Sequence, residues 1–135
     1  MNLLLNYTPK ILYALGETFT GNDEIYSWLL NNGFPELAAF SSAIRGSEKA
    51  NEWLLNNGYA AFSALDYTID DNKNARMWLE KYGYTIEILF ADTCNKDANA
   101  AQQLHNMDLD VLVHLAEQIN KFRDSMFFNP FKFRP

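Results

Sequence analysis

Trp28-Leu29-Leu30-Asn31-Asn32-Gly33-Phe34 returns 25 residues later as Trp53-Leu54-Leu55-Asn56-Asn57-Gly58-Tyr59. It returns again as Trp78-Leu79-Glu80-Lys81-Tyr82-Gly83-Tyr84. Extending this frame divides the chain into repeats 22–46, 47–71, 72–96 and 97–121. Five apolar columns keep register across the four copies, among them Leu29, Leu54, Leu79 and Leu104, and Phe40, Leu65, Phe90 and Leu115. Ile25, Ala50, Ala75 and Ala100 form a third, Phe34, Tyr59, Tyr84 and Leu109 a fourth, and Ile44, Ile69, Cys94 and Ile119 a fifth. A fixed period of this length is the signature of a stacked repeat architecture.

Within a copy the pattern is that of two short helices. Asn22, Ser47, Asn72 and Asp97 open the first, all of them side chains able to accept from free amides of a first turn. Apolar residues follow at i, i+3 and i+4, one face of a helix. Gly33, Gly58 and Gly83 then end it, as a glycine in the left-handed region does. The second helix starts directly after the aromatic residue, where Pro35 suits a first helical position. Helices of about ten residues are unstable alone, so the copies must stack. The tryptophan and aromatic columns are expected to form a continuous core between them. Residues 84–90, Tyr-Thr-Ile-Glu-Ile-Leu-Phe, alternate like a strand, and Glu87 occupies a column that is apolar in the other copies. Repeat context predicts a helix there, because tertiary context overrides local propensity.

The fold class expected is therefore all-α: an α-solenoid of about four helix-turn-helix repeats in one domain. Residues 1–21 form an N-terminal cap or a decayed copy, with Leu12, Leu15 and Phe19 matching the columns loosely. The fourth copy is degenerate, with Gln103 for tryptophan and Asp108 for glycine, as terminal repeats often are. Residues 122–135 are aromatic and basic in an otherwise acidic chain. Phe127, Phe128 and Phe131 either fold back over the end of the stack or dock into a partner or a second copy.

The stretches Glu24 to Gly33 and Ala50 to Gly58 resemble the second helix of an ankyrin repeat, and Pro35 to Gly46 resembles the next repeat's first helix. The resemblance covers residues 22–121. The period here is 25 against the ankyrin 33, and the Thr-Pro-Leu-His signature is missing. What is lost corresponds to the β-turn finger. The resemblance implies protein binding, but not through fingertips.

Composition narrows the partner. A net charge of −6 repels phosphate backbones, which disfavours nucleic acid and favours a basic protein. No run is apolar enough to span a membrane, no signal peptide is read, and the single Cys94 suits a reducing, cytoplasmic setting. His105 and His114 are nine residues apart, about 180° on one helix at ~100° per residue, and would not share a metal. Asp66, Asp70 and Asp71 lack the spacing and glycine of a calcium loop; Asp66 and Asp70 are expected to line one solvated helix face, with Asp71 at its end. No phosphate loop or nucleophile elbow occurs. No cofactor, metal or catalytic residue is expected. The function expected is a non-catalytic protein–protein interaction module whose second helices present Ser42, Asp66, Tyr67, Asp92 and Glu117 at matching columns. The alternative is a small acidic immunity or inhibitor protein that neutralises a basic toxin or enzyme. Self-association through the C-terminal tail is a further expectation. A deep polar pocket with convergent titratable groups would instead point toward an enzyme.

Overall fold

The computed structural model describes residues 1–127, with side chains to Met126. Among these residues there are nine α-helices, two short 3-10 turns and no strand. The helices are α1 (Pro9–Glu17), α2 (Asp23–Asn31), α3 (Pro35–Ile44), α4 (Glu48–Asn56), α5 (Ala60–Ile69), α6 (Lys73–Lys81), α7 (Thr85–Cys94), α8 (Ala98–Asn106) and α9 (Asp110–Phe127). From α2 onward, each start recurs at a 25-residue step. The strand-like residues 85–90 lie in α7.

The local chemistry that sets these boundaries is the same in each copy. Asn22, Ser47, Asn72 and Asp97 accept from the amides of Ile25, Ala50, Ala75 and Ala100 at 2.9–3.1 Å. Gly33, Gly58 and Gly83 have φ of 92°, 83° and 76°. The next amide then reaches back to the helix, with Phe34 N–H to Leu29 O at 3.0 Å and Tyr59 N–H to Leu54 O at 2.8 Å. A second left-handed turn closes the N-terminal segment at Gly21 and the first three copies at Gly46, Asp71 and Lys96.

The even-numbered helices lie outside and the odd-numbered ones inside. α3 packs on α5, α5 on α7, and α7 on α9. The N-terminal segment does not cap a free end. Instead α1 packs along α9 and also touches α3, so α1, α3, α5, α7 and α9 close into a ring. Contacts between α1 and α9 advance together along both helices, from Tyr13–His114 to Phe19–Phe122, so the two run parallel. Gly16 lies at this contact, where a Cβ would stand at an ordinary 3.5 Å from Gln118 Cγ.

The ring is filled by side chains. Phe40, Phe62, Phe90, Leu12, Leu15, Leu65 and Leu115 are fully buried. Each such side chain contributes roughly 1.5–3 kcal/mol by leaving water. At the end where the inner helices begin, residues 1–7 lie across the ring. Tyr7 packs on Phe34 and Phe62, and its hydroxyl donates to Glu36 at 2.6 Å. Glu87 is fully buried and accepts the Leu4 amide at 3.0 Å. The polar residue in an apolar column thus holds the N-terminal segment.

The tryptophan column departs from expectation. Trp28 and Trp53 are 45% and 37% exposed, so they are not core. Each tryptophan instead stacks on the aromatic residue six positions later, at 5.8–6.1 Å and 10–19°. Trp28 and Trp53 cover the turn and stay partly in water, whereas Trp78, which also meets Tyr82, is partly buried against the core.

Candidate functional site

Ser42, Tyr67, Asp92 and Glu117 hold one relative position on α3, α5, α7 and α9, but they do not form a shared surface. The Ser42 hydroxyl is 2.8 Å from the Tyr26 hydroxyl of α2. Asp92 receives two hydrogen bonds from Arg76 of α6, at 2.7 and 3.1 Å. Both residues tie an inner helix to its outer neighbour. Tyr67 and Glu117 are exposed, with α7 between their helices.

Asp66 is a correction. It belongs to the preceding column, with Ser41, Ala91 and Ala116, all buried. At 4% exposure it offers nothing to a partner and does not share a solvated face with exposed Asp70. Asn51 donates to its carboxylate at 2.8 Å, and Ser63 donates to Asn51 at 2.9 Å. Burial pushes the Asp66 pKa up to about 6, against the opposing pull of Asn51. Phe127 is the last helical residue, and its side chain lies outside the described ones, as do Phe128 and Phe131.

The surface that is open lies on the outer helices. Leu30 and Leu55, 48% and 54% exposed, recur at one column, and the exposed Trp28 and Trp53 at another. The two columns are two residues apart, roughly 200° around a helix, so they occupy opposite flanks. Trp28 lines an apolar notch of about 170 Å³ with Lys10, Ile11 and Ala14 of α1, so its flank faces the preceding copy. Leu30 and Trp53 therefore border the groove between α2 and α4, and Leu55 and Trp78 the groove between α4 and α6. Regular sequence columns contained this signal, but the tryptophans were assigned to the core. α2 and α4 carry Asp23, Glu24, Glu48 and Glu52 against Lys49 alone.

A second feature lies at the end where the inner helices stop. A cavity of about 510 Å³ opens there. Arg45, Asp70, Asn95 and Asn120 line it from one column of the repeat, the first three just past the ends of α3, α5 and α7 and the fourth within α9. Ile44, Cys94, Phe122 and Met126 supply apolar wall, and Lys96, Arg123 and Asp124 complete it. Lys96 is held by both oxygens of Asp124, at 2.9 and 3.0 Å. Arg123 meets Asp70 only loosely, at 3.6 Å. Burial pushes the Cys94 thiol far above its ordinary value, so it is not a thiolate at neutral pH. Burial also raises Asp70, with Arg123 opposing.

The histidines stand apart on α8 and α9. His105 Nδ1 is 2.6 Å from Asp110, a hydrogen bond that raises its pKa, and His114 packs on Tyr13. Among the described residues no three His, Cys, Asp or Glu side chains are grouped to hold a metal, and no helix is long and apolar enough to cross a membrane. No known protein family, curated protein or solved structure matches the chain.

Proposed function

We propose that this protein is a non-catalytic binding module for a basic protein partner, and that the partner seats in the grooves between α2, α4 and α6. The observation that carries this is the recurrence of exposed apolar side chains on the outer helices, Trp28 and Leu30 on α2 and Trp53 and Leu55 on α4. Apolar side chains gathered and rimmed by charge mark interaction sites. Tryptophan is among the residues that most often anchor them. α2 and α4 carry four carboxylates against one lysine, a balance that favours a basic partner by charge complementarity, while α6 carries Lys73, Arg76 and Lys81 against Glu80. This places the interface on the first helix of each copy, not on the second helices. An ankyrin-like role in protein binding fits this reading, in a stack that closes into a ring and has no fingers. A toxin or enzyme with a basic surface fits the same grooves, so the partner's own activity belongs in the assay.

The test is affinity capture from the source lysate at low and high salt, with wild type and the double variant Leu30→Asp, Leu55→Asp. Both leucines face water, so circular dichroism should not change. Capture of one protein, weakened by salt and lost in the double variant, supports the reading. With that partner purified, the double variant should weaken Kd by about thirtyfold or more, the scale of a lost hot spot. Unchanged affinity would rule the grooves out. Charge reversal at Asp66 or Asp92 is a poor probe, because both are engaged inside the fold.

A further inference from the structure

The column Arg45, Asp70, Asn95 and Asn120 is unusual within the repeat. The preceding column is apolar in every copy, yet this one places a cation, an anion and two amides around a single cavity. Their remaining hydrogen-bonding capacity is specific. The Asn95 amide donates to Ile69 O and Ala91 O, and that of Asn120 donates to Thr93 O. Asn95 thus spends both amide hydrogens on carbonyls at helix ends and Asn120 spends one, in a long 3.4 Å contact, and both Oδ1 atoms remain able to accept. Arg45 donates through Nε to Ser41 O, and its guanidinium lies over the Tyr26 ring at 5.2 Å. Among the described residues no carboxylate pairs with Arg45. Asp70 has only the long contact to Arg123.

The helices add a direction. α3, α5 and α7 all end at this cavity, and helix C-termini carry partial negative charge. An ammonium group is favoured near these carbonyls, the amide oxygens and Asp70. A carboxylate is favoured at Arg45, which has no carboxylate partner among the described residues, whereas Lys96 and Arg123 already face Asp124 and Asp70. Simple anions are opposed by the helix ends, and simple cations leave Arg45 unmet. One molecule with both charges satisfies both sides. The volume is within the usual range for small-molecule sites, and Phe122 and Met126 supply an apolar wall.

We infer that this cavity binds a small zwitterion of the free amino acid class with an apolar side chain. Its carboxylate pairs with Arg45, its ammonium with Asp70 and the Asn95 and Asn120 oxygens, and its side chain lies against Phe122. The site is separate from the grooves of the proposed interface and stands or falls independently of them.

The test is a heteronuclear NMR titration of the full chain with L-leucine and L-phenylalanine. Isoamylamine and isocaproate serve as the amine-only and acid-only controls for leucine. Saturable shifts of the Asn95 and Asn120 side-chain amides and the Gly46 backbone amide are expected with at least one amino acid. Arg45→Ala and Asp70→Asn should each weaken binding about tenfold or more, as should loss of either charged group from the ligand. Leu30→Asp with Leu55→Asp should leave it unchanged. The inference is overturned if neither amino acid gives saturable shifts up to about 10 mM, tenfold above a millimolar Kd. It is equally overturned if amine or acid alone binds as well as leucine, or if both cavity variants bind as wild type does. Asp70 is exposed, so Asp70→Asn keeps the test valid should Arg45→Ala disturb the Tyr26 contact.

Discussion

Asp66 sits inside the fold with one hydrogen bond to its carboxylate, and burial holds its pKa at about 6. In the unfolded chain the same group titrates near ~3.9. Between these values the folded protein binds more protons than the unfolded one. The stability linked to Asp66 is therefore fully present below about pH 4 and is lost as pH rises through about 6. The size is about 3 kcal/mol, two pKa units at about 1.4 kcal/mol each. Asp66→Asn keeps an oxygen for Asn51 and cannot ionise. Its melting temperature should exceed that of wild type at pH 7, and the two should converge near pH 4. Thermal melts across that range check this, and a gap that widens toward acid would show the sign to be wrong.

At this scale the sequence was legible only in part. Asp66 carries a charge and stands next to the Ser42, Tyr67, Asp92 and Glu117 column, which made it look like surface. The frame itself contained the correction, since Ser41, Ala91 and Ala116 are small residues suited to a buried position. Its partner Asn51 was not legible, although Tyr26, Asn51 and Arg76 share a column, and each ties an outer helix to an inner one. Glu87 was noticed as a polar residue in an apolar column. Its partner is the main-chain amide of Leu4, 83 residues away, and no side-chain pattern encodes such a bond.

The helices themselves were the most legible level, because caps and left-handed glycines act over a few residues. Each of the first three copies has two left-handed turns, and they differ in their residues. Gly58 has φ +83° with open space around it. Gly58→Ala should still cost about 1–2 kcal/mol, from backbone strain alone. Asp71 has φ +66° at the column where the first repeat has Gly46. Asp71→Gly should stabilise by a few tenths to about 1 kcal/mol, since glycine adopts this conformation freely. Urea denaturation midpoints should move in opposite directions for the two variants. A shift in the same direction for both would mean that turn conformation is not what limits stability there. Residues 85–90 show the other side of local reasoning. Their alternation favoured a strand, and the helix there depends on Phe90 and Glu87 facing the ring interior.

Ring closure was not legible, because it is a sum over copies. A 25-residue unit announces that it stacks, but its rotation against the next unit is set by side-chain packing. Small differences in that angle separate an open stack from a ring. One trace of closure was present. Of the six glycines, five have positive φ in turns, and only Gly16 lies within a helix, where glycine is unfavourable. Its place is the contact of α1 with Leu115 and Gln118 of α9. A Cβ there meets those atoms at 3.5–3.6 Å, an ordinary contact. Gly16→Ala should therefore be neutral or stabilise by up to about 1 kcal/mol through helix propensity. Gly16→Leu cannot fit and should wedge α1 off α9. Hydrogen exchange then reads the topology directly, since local opening exposes the amides of whichever elements lose support. In a ring, Gly16→Leu lowers protection in α9, about a hundred residues away in sequence, as well as in α1, while α4 to α6 on the far side keep theirs. In an open stack the same substitution frays only the first helices and leaves α9 protected. Loss confined to residues before α3 would therefore refute closure, and paired loss in α1 and α9 would establish it.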